Sequence, residues 1–339
     1  MAMEINTQIF NKKNVIISGG LGFIGSNLAI KLVDCGASVT IIDSLIPEYG
    51  GNLWNIEPVK SKVKINISDV RDKHSMQHLI QGQDYFFNLA GQTSHLDSMK
   101  NPFADLEINA KAQLSILEAC RKYNPTIRII FASTRQLYGK PQYLPVDEQH
   151  PLVPVDINGI NKLSGEMYHI LYNKVYGIQS AVLRLTNTYG PRMRIKDARQ
   201  TFLGICIRNL LEDKPITIFG DGSQLRDYNY IDDVVDAFLI VANSDKLNGS
   251  VFNLGHDKPI SLKETAEIMI EENDGGRCVY QPFPDDLKKI DIGDFYSSFN
   301  KIKTIMGWNP EFSTRTGFKK TLEYFRNNYQ YYVSIYSEN

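Results

Sequence analysis

Three glycines that follow a short apolar run are the first residues whose types and spacing can do chemistry. Residues 15–17 are Val-Ile-Ile, which predicts a buried strand, and residues 26–33 carry a helical pattern. Gly19 permits a tight turn between them, Gly22 leaves room for a phosphate, and Gly25 lets the helix pack closely on the strand. Such a turn presents bare backbone N–H groups and a helix N-terminus to a pyrophosphate, although a tight turn also needs glycines for purely structural reasons.

An acidic residue strengthens the prediction of a dinucleotide site. Residues 38–42 form a second β-branched run, and Asp43 ends it. A carboxylate about 20 residues beyond the glycines is placed to accept hydrogen bonds from an adenosine ribose. The same carboxylate would repel a 2′-phosphate, so the sequence predicts NAD rather than NADP. The structural alternative is that Asp43 only terminates a strand.

The composition of the chain excludes several function classes. The 339 residues are 42% hydrophobic and 22% charged, with a formal net charge of −1, so nothing favours nucleic acid or an anionic membrane as a partner. No apolar run approaches the roughly 18 residues that span a bilayer. Residues 1–6 lack a signal-peptide pattern, and the scattered Cys35, Cys120, Cys206 and Cys278 form no metal-binding pattern. We therefore expect a cytoplasmic protein with reduced thiols and no metal.

The elements that must position these residues alternate between strand and helix in the first half of the chain. Strands are predicted at 63–67, 85–90, 127–134 and 180–185, with helices at 109–122 and 161–175. This pattern predicts an α/β fold, a Rossmann-like doubly wound parallel sheet whose ligands bind at the carboxyl ends of the strands. We place the dinucleotide-binding domain at 1–185 and a smaller α/β substrate domain at 186–339, with some chain crossing between them.

A series of short motifs runs through nearly the whole chain. They are G-G-L-G-F-I-G (19–25), D-V-R-D (69–72), N-L-A-G-Q (88–92), S-T-R-Q-L-Y-G (133–139), N-G-I-N-K (158–162), L-R-L-T-N-T-Y-G-P-R (183–192), I-F-G-D-G-S-Q-L-R-D-Y (218–228), Y-I-D-D-V (230–234) and M-G-W-N-P (306–310). Together they resemble the extended short-chain dehydrogenase/reductase family, in particular its NAD-dependent nucleotide-sugar epimerases and dehydratases. The resemblance implies that NAD is held permanently and that a sugar hydroxyl is oxidised to a ketone before the hydride returns.

The resemblance also implies which residues are catalytic. In the family a Tyr in Y-x-x-x-K takes the hydroxyl proton, the Lys lowers the pKa of that Tyr and bonds the nicotinamide ribose, and a Ser or Thr shares the hydrogen bond to the reacting oxygen. Lys162 matches the Lys and Thr134 matches the hydroxyl. The spacing of four puts the Tyr position and the Lys on one helix face.

This chain departs from the pattern at the Tyr, where it has Asn158. An amide forms hydrogen bonds but does not take a proton at neutral pH. Three interpretations are open: a natural variant with another acid/base, an engineered inactive form, or a protein that binds NAD and a nucleotide sugar without turnover. The self-consistent sequence around Asn158 favours a natural variant.

A second departure follows Thr134. The family's 4,6-dehydratases carry Asp-Glu there and its decarboxylases carry a Glu, whereas this chain has Arg135 and Gln136, neither of which is a general base at neutral pH. Epimerase chemistry remains by elimination. Arg135 is a candidate for binding an anionic group on the sugar, with a structural ion pair as the alternative.

His95 is the candidate replacement for the missing acid/base, because it follows N-L-A-G-Q closely, where the family places substrate-facing residues. The structural alternative is an ordinary polar loop residue.

The binding residues carried over by the resemblance form two sets. The NAD set is Gly19, Gly22, Phe23, Ile24, Gly25, Asp43, Asp69, Val70, Leu89, Ala90, Gln92, Asn109 and Lys162, and the substrate set is Arg135, Asn187, Gln200, Thr217, Phe219 and Arg226.

The sequence thus predicts an NAD-dependent nucleotide-sugar epimerase with an atypical site. The alternatives are a nucleotide-sugar dehydratase or lyase with an unusual base, and a non-catalytic binding protein. The resemblance further implies a homodimer in which helices near 103–121 and 161–175 pair across a two-fold axis as a four-helix bundle.

Overall fold

The structure is a computed structural model that describes residues 7–197, 201–244 and 247–333. The strands are β1 (Asn14–Ser18), β2 (Ser38–Asp43), β3 (Val63–Ile67), β4 (Tyr85–Asn88), β5 (Arg128–Thr134), β6 (Ser180–Leu185), β7 (Asn187–Tyr189), β8 (Ile216–Phe219), β9 (Leu225–Arg226), β10 (Tyr228–Tyr230), β11 (Ser250–Asn253), β12 (Ile260–Ser261) and β13 (Cys278–Gln281). The α-helices are α1 (Phe23–Asp34), α2 (Lys73–Leu79), α3 (His95–Lys100), α4 (Pro102–Leu106), α5 (Ala112–Tyr123), α6 (Ile157–Tyr176), α7 (Phe202–Leu211), α8 (Ile231–Asn243), α9 (Leu262–Glu272), α10 (Asp285–Lys288), α11 (Asn300–Met306), α12 (Thr314–Asn328) and α13 (Gln330–Val333). Shorter 3₁₀ segments lie at Thr7–Phe10, Pro47–Tyr49, Leu53–Lys62 and Arg135–Tyr138, and a π-helical turn spans Glu107–Lys111.

Seven strands form one central sheet in the order β11-β6-β5-β4-β1-β2-β3. Every neighbouring pair is parallel, for example Val15 beside Val39 and Tyr85. The strand order reverses at β1, which places a topological switch point between β1 and β4. The predicted doubly wound parallel sheet is confirmed.

The sheet is buried on both faces, which explains why its strands read as continuous apolar runs. Successive side chains of a strand point to opposite faces. Ile17 and Phe87 therefore pack in the larger core cluster, while Ile16 and Phe86 pack in a second cluster on the other face.

The second part of the chain adds three two-stranded sheets: β7 with β10, β8 with β13, and β9 with β12. A buried aromatic group holds them to the core, with Tyr189 packed on Phe318 at a ring-centroid distance of 4.5 Å. Asp233 fixes the segment after α11, because its carboxylate accepts the N–H groups of Glu311 and Phe312.

The two parts of the chain are not separate in sequence. β11 pairs with β6 and so returns to the edge of the central sheet, with Phe252 opposite Leu183. This pairing connects a segment beyond residue 186 to the central sheet, and the division into a dinucleotide-binding and a substrate domain stays a prediction. Within the described ranges, no helix combines the length and apolar composition that crossing a membrane requires.

A buried ion pair connects the sheet to the long helix α6. Arg184 on β6 donates from Nε to Glu166 Oε1 at 3.2 Å and from Nη1 to the Tyr138 hydroxyl at 2.6 Å. Glu166 also accepts from the Ser133 hydroxyl at 2.7 Å. Because both charged groups are buried, each depends on the other for its stability.

We expect Glu166→Ala to lower the free energy of unfolding by about 3–5 kcal/mol, because it leaves the Arg184 guanidinium buried without a counter-charge. The measurement is urea unfolding followed by circular dichroism. The control is Glu271→Ala, which removes an exposed partner of Arg315 and should cost about 1 kcal/mol or less. Equal effects of the two substitutions would contradict the prediction.

Candidate active site

A single cleft lies at the carboxyl ends of the central strands and collects most of the predicted site residues. Its lining combines the glycine turn, the ends of β2, β4 and β5, the start of α6 and the segment after β6. The predicted residues that line it are Gly19, Gly22, Phe23, Ile24, Gly25, Asp43, Asp69, Val70, Leu89, Ala90, His95, Thr134, Arg135, Asn158, Lys162 and Asn187.

The glycine turn is shaped so that side chains would obstruct it. Gly19 has φ of +71°, a left-handed conformation that favours glycine. A Cβ on Gly25 would lie 2.2 Å from the Gly19 carbonyl oxygen, so only glycine allows α1 to begin this close to β1. The helix starts with Gly22 at its N-cap position, which leaves its first N–H groups available for a phosphate.

Asp43 lies at the end of β2 and lines the same half of the cleft. Its carboxylate accepts the backbone N–H groups of Leu21 and Leu45 at 3.0 and 2.9 Å. Burial raises the pKa of Asp43, and these two hydrogen bonds oppose that increase. The carboxylate therefore has a fixed position, as a ribose acceptor requires.

The far end of the dinucleotide half fits a nicotinamide ribose. A Cβ on Gly91 would lie 2.7 Å from Lys162 Nζ and 2.8 Å from Asn109 Oδ1, so the bare glycine leaves space where these two polar atoms converge. Asn109 Oδ1 is buried and has no hydrogen-bond partner among the described residues. Asn109 is fully buried and does not line the cleft, so Lys162 is the residue of this pair that a bound ribose would contact.

Lys162 and Thr134 lie on either side of the end of β5. Lys162 Nζ donates to the Ala132 carbonyl at 3.3 Å and lies 5.3 Å from the centre of the Phe131 ring. Burial lowers the pKa of Lys162 to about 8, and the charge of Asp105 opposes this effect. The Thr134 hydroxyl accepts the Gln136 N–H at 3.2 Å, so its own proton remains available to a ligand.

Asn158 belongs to a buried polar cluster that also contains Gln92, Asp105, Asn109 and Asn161, which we call the amide cluster. Its amide donates to the Gln92 carbonyl at 2.8 Å and to Asp105 Oδ2 at 3.0 Å. Asn161 donates to the other carboxylate oxygen of Asp105 at 2.8 Å, and Asn109 donates to the Gln92 carbonyl at 3.0 Å. The buried carboxylate is thus held by two amides, one of them at the usual Tyr position.

His95 has a carboxylate partner. Its Nδ1 lies 3.0 Å from Asp156 Oδ2, and the His95 side chain is 35% exposed to the cleft while Asp156 is enclosed. Asp156 is the N-cap of α6 and accepts the Gly159 N–H at 2.7 Å, and its Oδ2 also accepts from the Gln136 amide at 3.1 Å. Burial alone would raise the pKa of Asp156, but these contacts outweigh it and hold that pKa below its usual value. The carboxylate thus lies at ion-pair distance from the imidazole, although Nδ1 lacks the alignment of a hydrogen bond among the described residues.

Some predicted residues do not line the cleft. Gln92 and Asn109 are buried behind it in the amide cluster. Thr217 and Phe219 are on β8, which pairs with β13 away from the cleft. Arg226 is held by the carbonyls of Leu225 and Gly293 at 2.7 and 2.6 Å. Gln200 lies outside the described residues.

Two residues of this site were missed by sequence reasoning. Asp156 had a detectable signal, because an Asp directly before a helical pattern is a typical N-cap. Asp105 had none, since its partners on α6 are 53 and 56 positions away in the chain. Among the described residues no cluster of His, Cys, Asp and Glu could hold a metal ion.

Comparisons with known proteins agree with this geometry. Residues 15–255 match the model of the NAD dependent epimerase/dehydratase family. A putative UDP-glucose 4-epimerase of Methanocaldococcus jannaschii is 34% identical over 317 residues, which cover 93% of this chain and 99% of that protein.

Two solved structures are similar over almost their full length. The UDP-glucose 4-epimerase of Thermotoga maritima with UDP-glucose is 31% identical, with a TM-score of 0.85, covering 93% of this chain and 99% of that one. The UDP-glucuronic acid 4-epimerase of Bacillus cereus, in complex with UDP-glucuronic acid and NAD, is 26% identical with a TM-score of 0.83, covering 93% and 100%. With the glycine turn, Asp43 and Lys162 lining one cleft, the match over most of the chain shows that this protein belongs to the NAD-dependent epimerase/dehydratase family, with NAD as its cofactor.

Proposed function

We propose that this protein is a nucleotide-sugar epimerase that acts through a transient keto sugar, with the His95–Asp156 pair in the role usually held by a tyrosine. The observation that carries the proposal is the 3.0 Å contact between His95 Nδ1 and Asp156 Oδ2. Both T. maritima and B. cereus relatives are named as epimerases of nucleotide sugars, which supports the same substrate class here.

Proton movement follows from the position of the pair. Since Nδ1 faces Asp156, Nε2 is the nitrogen left for a substrate hydroxyl. His95 takes the proton as the hydroxyl becomes a ketone, and Asp156 stabilises the imidazolium that results. His95 returns the proton when the ketone is reduced on the opposite face of the sugar. Thr134 donates its hydroxyl proton to the reacting oxygen throughout.

The cofactor contributes redox chemistry only. NAD, when bound, supplies the acceptor and later the donor of the hydride. Lys162 would hold the nicotinamide ribose, and its charge favours the deprotonated state of a nearby substrate hydroxyl. Asp43 would hold the adenosine ribose.

The residues beside Thr134 favour epimerisation over elimination. A dehydratase needs a base to remove a proton next to the ketone, and Arg135 and Gln136 do not supply one. Gln136 instead donates to Asp156, so it supports the His95 pair. A lyase with His95 as its base is the alternative, and product mass separates the two reactions because only elimination loses water.

The amide cluster supports a natural rather than an inactivated site. Asn158 and Asn161 together satisfy both oxygens of Asp105, and a phenol at position 158 would remove one of those two hydrogen bonds. Asn158 and Asn161 lie on one face of α6, and each donates to one oxygen of Asp105. A single engineered substitution at position 158 would not account for the second donor.

The exposed apolar side chains support the proposed homodimer. Ile160, Met167, Leu171 and Val175 are all close to half-exposed and form one stripe on α6. Phe103, on the neighbouring α4, is 76% exposed. Apolar area of this kind on two adjacent helices is typical of an interface.

A cytoplasmic location stays a prediction from the four free cysteines.

We expect His95→Asn to lower the rate of reduced nicotinamide formation by about 10²–10⁴-fold with little change in substrate affinity, because it removes the acid/base and keeps the volume. The measurement is a single-turnover absorbance assay of the NAD-loaded protein with a panel of UDP, dTDP, CDP and GDP sugars. The matched control is His78→Asn, an exposed histidine on α2, which should leave the rate unchanged. Full activity of His95→Asn would remove this residue from the mechanism.

Asn158→Tyr is the companion variant in that assay. We expect it to lower the melting temperature and not to raise the rate, because it breaks the amide bond to buried Asp105. Restoration of rapid turnover by Asn158→Tyr would instead identify the chain as an inactivated Tyr enzyme.

We expect the protein to bind NAD more tightly than NADP by about tenfold or more, because the Asp43 carboxylate repels a 2′-phosphate. Asp43→Asn should reduce this preference while keeping one acceptor for the turn. Calorimetric titration of both cofactors measures the ratio, and Asp221→Asn, which removes an exposed charge outside the cleft, is the control. A wild-type preference for NADP would contradict the assignment.

We expect light scattering to give twice the 38.5 kDa chain mass for the wild type. Met167→Glu should shift the protein to the monomer, because it places a charge in the apolar stripe. Ile305→Glu changes a comparably exposed side chain on α11, outside the stripe, and should leave the mass unchanged. A monomeric wild type at micromolar concentration would rule out the dimer.

A further inference from the structure

Arg135 is a cation that the proposed mechanism does not use. It lies beside Thr134 in the part of the cleft that the proposed function assigns to the sugar, which we call the sugar half. It directly follows Thr134, the residue assigned to the reacting oxygen, and it lines the same cleft. Its guanidinium carbon lies 5.0 Å from the centre of the Phe295 ring, and its Nη1 donates to Gln136 Oε1 at 3.3 Å. These two contacts fix the group and leave most of its five donors unused.

Arg135 forms no close ion pair. Among the described residues no carboxylate lies within the 4.0 Å of an ion pair, so the charges of buried Asp227 and Asp156 compensate Arg135 only from a greater distance, while its neighbour Arg226 carries the same charge. Burial, and then the charge of Arg226, lower the pKa of Arg135 to about 10, so the group remains protonated at neutral pH but in an unfavourable environment. A bound anion would offset both effects.

The acidic residues of the cleft lie elsewhere. In the described part of its lining the carboxylates are Asp43 and Asp69, and both belong to the dinucleotide half. In the described lining of the sugar half, no carboxylate would therefore compete with a bound anion for Arg135.

We propose that Arg135 binds a carboxylate on the sugar, so that the substrate class is a nucleotide-diphosphate hexuronate rather than a neutral hexose. The assignment rests on the proposed nucleotide-sugar function. A planar guanidinium matches a carboxylate in a bidentate geometry, and Arg135 is one residue from the group assigned to the reacting carbon.

Residues other than Arg135 are candidates to donate hydrogen bonds to the diphosphate of the substrate. Helix α7 begins at the cleft, where its N-cap Thr201 is a lining residue, and Asn187 lines the same wall. A helix N-terminus and an amide donor are suited to a diphosphate. Arg135 is then left for a charge carried by the sugar itself.

The test compares binding to the NAD-loaded protein by calorimetry. UDP, dTDP, CDP and GDP identify the accepted base, and the hexose and hexuronate of that nucleotide are then compared, UDP-glucose and UDP-glucuronate in the uridine case. We expect the wild type to bind the hexuronate about tenfold or more tightly than the hexose. Arg135→Gln should abolish this preference and leave the affinities for the hexose and the free nucleoside diphosphate unchanged.

Two further variants make the comparison specific. Arg135→Lys should keep only part of the preference, since it retains the positive charge but not the planar guanidinium that can donate two parallel hydrogen bonds to a carboxylate. Arg315→Gln makes the same chemical change on the exposed surface of α12 and should keep the full preference.

Four results would overturn the assignment. Equal wild-type affinity for hexose and hexuronate, or an unchanged preference in Arg135→Gln, would make Arg135 structural. An equal loss for the hexuronate, the hexose and the nucleoside diphosphate would make it a diphosphate ligand. If no nucleotide or nucleotide sugar binds the wild type, the proposed function fails and the assignment fails with it, which distinguishes that case from the others.

Discussion

The buried carboxylate of Asp156 is the interaction on which the sugar half of the site depends. One of its oxygens caps α6 through the Gly159 N–H, and the other faces the Gln136 amide and the His95 ring. It therefore joins the start of α6, the turn after β5 and the start of α3 at one point. The start of α6 sets the position of Lys162, so a single carboxylate aligns His95, the turn that follows Thr134 and Lys162. Because Asp156 is enclosed, loss of any of these partners would leave a buried charge poorly satisfied.

A second buried carboxylate, Asp105, ties the Asn158 side chain into the polar cluster behind the cleft. Its two oxygens are taken by Asn158 and Asn161, which lie almost one turn apart on α6. The same amide of Asn158 also donates to the Gln92 carbonyl, which Asn109 shares. A tyrosine would fill this region with a ring and break the network at its centre. The amide at this position thus stabilises the wall of the cleft, and under the proposed function His95 takes over the proton transfer.

Sequence reasoning succeeded where the determinant is local. The glycine turn and Asp43 each lie within one βα unit, and the alternation of apolar runs with helical patterns was sufficient for the parallel sheet. It could not find contacts between residues that are far apart in the chain. The match of Arg226 to a diphosphate ligand stays a prediction from a motif, and the contact of its guanidinium with the Gly293 carbonyl, 67 positions away, has no local signal. The link between His95 and Asp156 spans 61 positions (156 − 95) and could not be deduced from either segment alone.

The distribution of charge along the cleft follows from these contacts. The lining carboxylates Asp43 and Asp69 lie at the end of β2 and after β3, whereas the lining cations Lys162 and Arg135 lie on α6 and directly after β5. Burial lowers the pKa of Lys162 to about 8 and that of Arg135 to about 10, so both cations are less stable here than in water. An anionic ligand would relieve that cost, and part of its binding energy would arise from this relief rather than from new contacts. A neutral sugar would leave Arg135 without a close ion-pair partner, so the same burial that destabilises the free cation provides a physical basis for discriminating between neutral and charged sugars.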